Sequence, residues 1–352
     1  MKIAQVCPGY PPALGGVEQH VRHISERLAR EHQVTVFATD ASGKLPVEEQ
    51  INDVLVRRFR SFSPGNAYHI SFQMLRELRK SEFDIVHGHS YHAFPLFFSK
   101  YANKRKKFIV TPHYLGHASA MTRRFLLGLY KPFGKKIFQE ADKVVAVSNY
   151  EREMLIRDFK IDGDKVTVIP NGVDLKEFGM LEKKEKQHKT ILCAGRLEKY
   201  KGVQHAIQVL PLLEPSIGLE VVGEGAYKQK LIRLAQNLGV QSRVQFYHGL
   251  DRRQLLDRYA NADLFMLLSK YEAFSIAIVE ALAAKTPCIV ANTSGLKQCV
   301  DNENCFGIDY PISSDHLAEL INKVISKKVG EVKLWDWEEV VEETVKVYKE
   351  GL

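Results

Sequence analysis

Short apolar runs alternate with amphipathic helical patterns along most of the chain. The runs of the first half are KIAQVC, VTVFAT, DIVHGH, FIVTPH, KVVAVS and VTVIP, and those of the second half are TILCAG, LEVVGEG, VQFYHG, LFMLLS and CIVAN. Such alternation predicts β-α-β units whose parallel sheets are covered by helices on both faces. We therefore expect an α/β protein with two tandem Rossmann-like, doubly wound parallel-sheet domains that face a central cleft.

One polar stretch interrupts the alternation near the middle of the chain. Residues 179–189, GMLEKKEKQHK, have neither periodicity nor apolar anchors, which predicts an interdomain linker. We place an N-terminal domain at 1–170 and a C-terminal domain at 171–335. The last segment, 336–352, has apolar residues at helical spacing and predicts a final amphipathic helix.

The composition is that of a globular protein too long for one hydrophobic core. The chain has 352 residues, of which 45% are hydrophobic and 26% charged. The apolar start is too short for a signal peptide and no run reaches the roughly 18 residues of a membrane span, so we expect a cytoplasmic protein. The cysteines contain no C-x-x-C pair and predict buried thiols, with neither a disulfide nor a zinc site.

The positive charge is confined to the first half. Residues 1–170 hold 26 Lys and Arg against 17 Asp and Glu, and the rest of the chain holds 24 against 25. This asymmetry indicates either an anionic partner for the N-terminal domain or a merely solvated basic face. Residues 121–138, MTRRFLLGLYKPFGKKIF, interleave basic and apolar side chains, which is typical of peripheral docking on the cytoplasmic face of an anionic membrane and also of a packed helix with solvated lysines.

Glycines and cations follow several predicted strands. Gly15 and Gly16 open a helix after the first strand, where the backbone could approach a phosphate, although a tight turn explains them equally well. Arg196 and Lys201 in GRLEKYKG follow the first strand of the second half and suit a diphosphate. Gly223 in the GEG sequence fits either backbone contact with a nucleoside or a plain turn.

Two glutamates lie in the stretch YEAFSIAIVEALAAKTPCIV. Glu272 falls in a loop, Ser275 is a candidate N-cap, and Glu280 falls on the following helix. The amides near Phe274 and Ser275 would face a diphosphate, and the carboxylates would accept hydrogen bonds from sugar hydroxyls. The apolar flanks of Glu280 predict burial, so this carboxylate needs a partner.

Histidines cluster in the first half, in HGHSYH and TPHYLGH. They include His87, His89, His92, His113 and His117. An H-x-H pair could ligate a metal, but no cysteine or carboxylate nearby in sequence completes the set, so sugar contact or packing is favoured and no metal is expected. The DGD at 162–164 resembles a metal-binding D-x-D motif, and its polar surroundings predict a turn.

The order and spacing of these motifs resemble the retaining GT-B glycosyltransferases of family 4. The resemblance covers essentially the whole chain and is carried by PPALGGVEQHV, DIVHGHS, TPHY, VSNYERE, VIPNGVD, GRLEKYKGV, VGEG and above all the E-x7-E segment. It implies a hexosyltransferase that takes its sugar from a nucleotide-sugar co-substrate, without a metal or another cofactor. It also implies that the N-terminal domain binds the acceptor, that the C-terminal domain binds the donor, and that helix 336–352 packs back on the N-terminal domain.

The resemblance also implies roles for individual residues. It assigns Glu272 to the sugar hydroxyls, Glu280 to the ribose, Arg196 with Lys201 to the leaving diphosphate, and His113 to the transferring sugar, with His113, Glu272, Arg196 and Lys201 as the catalytic group. The remaining donor-binding positions would be Gly15, Gly16, Gly195, Gly223, Glu224, Ala273, Phe274, Ser275 and Ile276, and the acceptor side would include His87, His89 and Asn171. The chain departs from the usual E-G-F-G at Ala273 and Ser275, and from a usual glycine and glutamate at Ser294 and Gln298, which bears on the identity of the sugar.

Because the N-terminal half is basic, our hypothesis for the acceptor is a lipid or a lipid-linked molecule. Two other functions compete with such a transferase. A non-catalytic nucleotide-sugar-binding partner subunit would have no need of an intact set of cations and glutamates. A sugar-nucleotide epimerase of similar architecture would need acid and base carboxylates, which the E-x7-E order fits less well. A Rossmann dehydrogenase is disfavoured because no G-x-G-x-x-G follows a strand, and no module for nucleic acid is found.

Overall fold

The computed structural model describes residues 1–13, 15–64, 68–102, 104–116, 121–184 and 186–351, without the side chains of 121–130. The chain forms two compact units. The first consists of Met1–Asn171 and Trp337–Leu352, and the second of Gly172–Asp336. The chain therefore passes from one unit to the other twice, after Asn171 and after Asp336.

The predicted linker at 179–189 is wrong. This stretch belongs to the second unit, where the amide of Lys184 donates to the side-chain oxygen of Asn261 at 2.9 Å and the Lys186 ammonium donates to the Asn261 carbonyl at 2.6 Å. A polar segment that lies along a domain surface has the same composition as a solvated linker, because both face water. Pattern alone did not distinguish them.

The first unit is built on a sheet with the strand order β3-β4-β2-β1-β5-β6-β7-β8. Its strands are β1 (Lys2–Val6), β2 (Gln33–Asp40), β3 (Glu48–Ile51), β4 (Val54–Arg60), β5 (Glu82–His89), β6 (Lys104–Thr111), β7 (Lys143–Ala146) and β8 (Val166–Val168). All these pairings are parallel except that of β3 with β4. The helices are α1 (Gly16–Leu28), α2 (Phe72–Lys80), α3 (Phe94–Ser99), α4 (Met121–Glu140) and α5 (Asn149–Phe159), followed at the end of the chain by α12 (Trp337–Lys349).

Helix α12 is anchored in the first unit by both packing and polar contacts. Trp337, Val340 and Tyr348 are buried on its inner face. The Lys107 ammonium, on β6, donates to the Val347 carbonyl at 2.7 Å and also to the Glu350 carbonyl. A cation at the carbonyls that end a helix stabilises that end, so β6 holds the last turn of α12.

The second unit is built on a parallel sheet with the strand order β11-β10-β9-β12-β13-β14. Its strands are β9 (Thr190–Ala194), β10 (Gly218–Val222), β11 (Val244–Tyr247), β12 (Leu264–Leu267), β13 (Cys288–Ala291) and β14 (Cys305–Ile308). Its helices are α6 (Leu175–Phe178), α7 (Val203–Val209), α8 (Lys228–Asn237), α9 (Arg252–Asn261), α10 (Ile276–Ala283) and α11 (Ser314–Val324). The predicted α/β class with two parallel, Rossmann-like sheets is confirmed.

In the second unit, apolar residues of the strands and of the inward helix faces form a separate core on each side of the sheet. In the second unit one such core includes Ile191, Leu219 and Ile207, and the other includes Leu192, Phe265 and Ile278. The central strands β9, β12 and β13 are buried on both faces, which explains their nearly continuous apolar sequences. Among the described residues, no helix is both long enough and apolar enough to cross a bilayer.

Candidate functional site

The loops after β9, β10 and β12 lie at the carboxyl edge of the second sheet. Gly195, Arg196 and Lys201, which the sequence predicts as donor-binding residues, line one depression there. The Arg196 side chain is exposed and its guanidinium donates to the Tyr200 hydroxyl at 3.3 Å. Within the described part of the chain Arg196 forms no ion pair, and a cation in this position suits an anionic ligand.

The glycines of the GEG loop are required by the neighbouring loop. Gly223 has a φ of 144°, and a Cβ there would lie 2.0 Å from the carbonyl oxygen of Gly195. The adjoining Glu224 is exposed, and its Oε1 lies 3.2 Å from His248 Nδ1. The close approach of the two loops, together with the turn conformation, therefore explains a glycine at position 223 without any ligand.

Lys201 and Glu272 form a pair at the same edge. Lys201 Nζ lies 2.5 Å from Glu272 Oε1, and only 16% and 11% of the two side chains are exposed. The Glu272 amide donates to the Ser294 hydroxyl at 2.9 Å, and Ser294 has a φ of 49° in place of the glycine usual in the family. Burial from water strengthens an ion pair, so Lys201 holds the Glu272 side chain in one orientation.

The turn from β12 to α10 has the geometry predicted for it. Ser275 is the N-cap residue of α10 and makes no side-chain capping bond, and Ile276 begins the helix. Ala273 and Ser275 are buried, and Phe274 is half-buried. The first amides of a helix carry partial positive charge, so this turn points a positive helix end toward the edge that holds Lys201.

Glu280 has the partner that its burial requires, which confirms that prediction. Its carboxylate forms an ion pair with Arg252 on α9, and Arg252 also bonds Glu177 on α6 at 2.6 Å. Only 9% of the Glu280 side chain is exposed, and burial raises the pKa of this carboxyl against the opposing effect of Arg252. Arg252 and Glu177 are functional candidates that sequence reasoning missed, because nothing in their own sequence surroundings distinguishes them from solvated charges.

In the first unit, Gly15 and Gly16 occupy the turn from β1 to α1. Gly15 is the N-cap residue with an extended φ of 175°, and a Cβ added to Gly16 would meet nothing within 4 Å. The exposed backbone at Gly16 is therefore open to a ligand, while a conformational need for glycine is absent at both positions. The ligand contact at Gly16 therefore stays a prediction, with room for a ligand to approach the backbone.

His87 lies in the core and not at the surface. Its ring nitrogens are each 2.7 Å from a hydroxyl, Nδ1 from that of Tyr348 and Nε2 from that of Thr111, and 1% of the residue is exposed. Both of its nitrogens are satisfied within the protein. A ligand could reach a ring nitrogen of His87 only by displacing one of these hydroxyls, so its acceptor-side position stays a prediction.

His89, His113 and Asn171 come together with His20 of α1. The ring of His20 lies 4.8 Å from that of His113 and 5.5 Å from that of His89, centroid to centroid. Asn171 is buried and its side-chain oxygen lies 2.6 Å from His20 Nδ1. His113 has a backbone in the left-handed region, with a φ of 48°. The next residue, Tyr114, donates its backbone amide to the buried Glu151 carboxylate. Sequence reasoning missed His20, because this residue lies on a helix about 70 residues before His89 in the sequence.

The basic segment 121–138 is described only in part. The side chains of 121–130 lie outside the described residues, as does His117. In the remainder of α4, Lys131, Lys135 and Lys136 are exposed and Phe133 is 53% exposed, whereas Ile137 and Phe138 are buried. The described part of the helix therefore packs one face and turns its lysines to water.

Two family models together match nearly the whole chain. Residues 14–177 match Glycosyltransferase Family 4, and residues 179–335 match Glycosyl transferases group 1.

The chain belongs to glycosyltransferase family 4.

Relatives of this family 4 glycosyltransferase align with it over its full length. An uncharacterised glycosyltransferase of Methanocaldococcus jannaschii is 29% identical, with 99% of this chain and 98% of the relative covered. The GPI3 subunit of phosphatidylinositol N-acetylglucosaminyltransferase from Saccharomyces cerevisiae is 25% identical, with 98% and 82% covered. The solved structure of Anabaena HepE in complex with UDP matches with a TM-score of 0.80 at 19% identity, covering 99% of this chain and 100% of that chain.

These similarities establish the fold and the reaction class. The family 4 enzyme has the GT-B glycosyltransferase fold, with its parallel-sheet Rossmann-like domains. It is a glycosyltransferase that takes its sugar from a nucleotide-sugar donor. Both statements agree with the expectations drawn from the motifs.

Proposed function

We propose that the protein is a retaining hexosyltransferase that moves a hexose from a nucleoside-diphosphate sugar to a lipid or lipid-linked acceptor. The observation that carries this proposal is the Lys201–Glu272 pair at the carboxyl edge of the second sheet, beside the start of α10. It combines a positive charge for a diphosphate with a fixed carboxylate for sugar hydroxyls. The second unit is the proposed donor-binding domain, and the first unit the proposed acceptor-binding domain.

The charges of this edge suit the leaving group. Negative charge gathers on the departing nucleoside diphosphate as the glycosidic bond breaks. Lys201, the exposed Arg196 and the first amides of α10 would stabilise that charge. Two side-chain cations and a helix terminus supply the electrostatic role that a divalent metal plays in other transferases.

The two glutamates have environments that fit separate roles. Glu272 is fixed by Lys201 and by its own amide contact with Ser294, so its second carboxylate oxygen would accept a sugar hydroxyl. Glu280 lies deeper, where Arg252 and Tyr259 both contact it, and the remaining acceptor capacity of its two carboxylate oxygens suits the ribose hydroxyls. In each case the carboxylate is positioned before the donor arrives.

The proposed retention of configuration does not require a covalent intermediate on Glu272. A carboxylate neutralised by Lys201 at 2.5 Å is a weak nucleophile, so a covalent glycosyl intermediate on Glu272 is disfavoured. Attack by the acceptor on the same face as the leaving group then accounts for retention. Proton NMR of the initial product would show the anomeric configuration of the donor, and the opposite configuration would refute this part of the proposal.

The lipid acceptor rests on the charge and exposure of the first unit. All the excess positive charge lies in residues 1–170, and α4 exposes Lys131, Lys135 and Lys136 around a half-exposed Phe133. Such a surface attracts anionic lipid headgroups, with about 1 kcal/mol for each cation near the membrane. Co-sedimentation with anionic and with neutral vesicles at low salt tests this attraction. If the protein is absent from both pellets, the proposed membrane-lipid acceptor is refuted.

Donor binding is the first experiment. Isothermal titration of the wild type with a panel of nucleoside diphosphates and their sugars should identify one base, and Glu280→Ala should weaken its binding about tenfold or more through the lost ribose contacts. Glu319→Gln, an exposed carboxylate on α11, serves as the matched control and should bind like the wild type. Absence of binding across the whole panel would overturn the transferase proposal in favour of a non-catalytic subunit.

A further inference from the structure

The loop that carries Glu272, between β12 and α10, is held by the segment that follows β13. Three consecutive residues of that segment make the contacts. The Thr293 hydroxyl donates to the Ser269 carbonyl at 3.1 Å. The Ser294 hydroxyl accepts from the Glu272 amide, and the Gly295 amide donates to the Glu272 carbonyl, both at 2.9 Å. Both backbone polar groups of Glu272 therefore bond to one neighbouring segment.

The side chain of Glu272 is held from another direction. Lys201 Nζ lies 2.5 Å from Glu272 Oε1, which leaves Oε2 as the carboxylate oxygen offered to a sugar hydroxyl. Lys201 thus holds the end of the side chain, and Ser294 holds the backbone from which that side chain starts. A side chain is positioned no more accurately than its own Cα, so both contacts are needed to keep Oε2 in one place.

Ser294 makes its contact from a backbone conformation that costs serine energy. Its φ is 49°, in the left-handed region that favours glycine, and glycine is usual at this position in the family. A glycine would adopt the same backbone without strain, but it has no hydroxyl, so the Glu272 amide would lose this partner. What serine adds at this strained position is therefore the bond to Glu272. Strain of this kind persists where the surrounding structure and the function maintain it.

The next residue shows how closely the two loops pack. A Cβ at Gly295 would lie 2.2 Å from the Ala273 carbonyl oxygen. The segment after β13 therefore lies directly against the turn that leads from Glu272 into α10. A change in the hold at Ser294 acts on Glu272 without an intermediate residue, because the hydroxyl bonds the Glu272 amide itself.

A fixed carboxylate discriminates between hexoses better than a mobile one. A hydroxyl in the matching configuration meets Oε2, whereas the epimer leaves this largely buried oxygen without a hydrogen bond. A carboxylate that shifts with its backbone would follow the displaced hydroxyl and accept from either epimer. The hold on Glu272 therefore affects selectivity for the sugar, whereas affinity for the diphosphate depends on the cations and the start of α10.

We propose that Ser294 is a positioning residue for Glu272 that sharpens the choice between donor hexoses differing in the configuration of one hydroxyl. This role rests on the proposed function, because it takes Glu272 as the residue that contacts the donor sugar. Removal of the Ser294 hydroxyl should then reduce selectivity for the sugar and leave the affinity for the free nucleoside diphosphate nearly unchanged.

Two variants separate the hydroxyl from the backbone strain. Ser294→Ala removes the hydroxyl and keeps the strained backbone, whereas Ser294→Gly removes the hydroxyl and the strain together. Asn302→Gly is the matched control, because Asn302 is an exposed residue of the same unit with a φ of 60°. Amide hydrogen exchange, followed by NMR without any ligand, should be faster at Glu272 in both Ser294 variants and unchanged in the control. Unchanged exchange in both Ser294 variants would overturn the proposal.

Isothermal titration measures the selectivity for the sugar. The probes are two pairs of epimers, UDP-glucose with UDP-galactose and GDP-glucose with GDP-mannose, and UDP and GDP alone are the references. For the base that the wild type binds, the ratio of the two epimer affinities should fall about fivefold or more in both Ser294 variants, as expected for one lost hydrogen bond. Affinity for the free nucleoside diphosphate should stay within about twofold of the wild-type value. Asn302→Gly should match the wild type in both measurements.

The outcomes distinguish this role from the proposed function. An unchanged epimer ratio in both Ser294 variants, with donor binding intact, would overturn the role of Ser294 and leave the transferase proposal standing. A reduced ratio in only one of the two variants would also overturn it, since backbone strain and not the hydroxyl would then be responsible. Absence of wild-type binding to UDP, GDP and all four sugar nucleotides would instead count against the donor site itself, and so against both proposals.

Discussion

Removing the Arg252 guanidinium should destabilise the second unit by leaving Glu280 buried and unpaired. We consider Arg252→Met, which keeps most of the aliphatic stem. Breaking one side of a fully buried ion pair costs about 3–5 kcal/mol. Here 9% of Glu280 but 38% of Arg252 is exposed, and solvent screening at Arg252 reduces the expected loss to about 2 kcal/mol at neutral pH.

The loss should depend on pH in a definite direction. Burial already raises the pKa of Glu280 above its unfolded value. Removing Arg252 removes the largest effect that opposes this rise, so the folded pKa rises further. A carboxyl with a raised folded pKa binds more protons in the folded state, so its contribution to stability falls as pH rises. The destabilisation by Arg252→Met should therefore be small near pH 5 and grow toward pH 8.

A double-mutant cycle isolates the pair. Glu280→Gln removes the charge, so adding it to Arg252→Met should recover about 1 kcal/mol or more of the lost stability. Urea unfolding would be followed through Trp335, which lies in the second unit, with all variants made in a Trp337→Phe background. Arg253→Met, on the exposed side of α9, is the matched control and should cost less than about 0.5 kcal/mol. A pH-independent loss in Arg252→Met equal to that of the control would refute the reasoning.

Three further predictions concern backbone and buried polar groups. Gly202→Ala should cost about 3 kcal/mol in urea unfolding, because its φ is 78° and a Cβ would lie 2.0 Å from the Leu268 carbonyl oxygen, whereas Gly239→Ala, with a φ of 69° and open space, should cost about 1 kcal/mol. Burial raises the pKa of Glu151 from 4.5 to about 7, so about 3 kcal/mol of stability should be lost as pH rises through that interval, and the slope of thermal midpoint against pH should flatten in Glu151→Gln. A steeper slope in that variant would contradict the assignment. Lys107→Met should expose the α12 end to limited proteolysis, since three carbonyl contacts are lost, and wild-type cleavage kinetics would argue against the anchor.

The sequence predicted the class of fold because periodicity is a local property. Continuous apolar runs between amphipathic segments have few structural solutions other than parallel strands covered by helices. The antiparallel β3 was missed because EEQI lacks the apolar signal of a core strand. The linker prediction was wrong for a related reason, since the polar residues of 179–189 contact Asn261 through hydrogen bonds that no local pattern reveals.

For the candidate site, the sequence indicated which residues needed partners but not which partners they would have. The apolar flanks of Glu280 required a compensating group, and only the packing of α9 against α10 identified it as Arg252. In the same way, the departure at Ser294 was visible in the sequence, and its contact with the Glu272 amide was not. The identity of a partner depends on distances between elements, which the chain's order does not contain.

The sequence by itself determined the two parallel-sheet units, the E-x7-E element and the glycosyltransferase class. Tertiary structure alone decided the environment of each charge and ring. His20 and His89 are far apart in the sequence, and the packing of α1 against the sheet brings their rings to 5.5 Å, centroid to centroid. The physical reason is that local patterns encode burial and secondary structure, whereas ligand geometry and pKa depend on atoms a few ångströms away that come from distant parts of the chain.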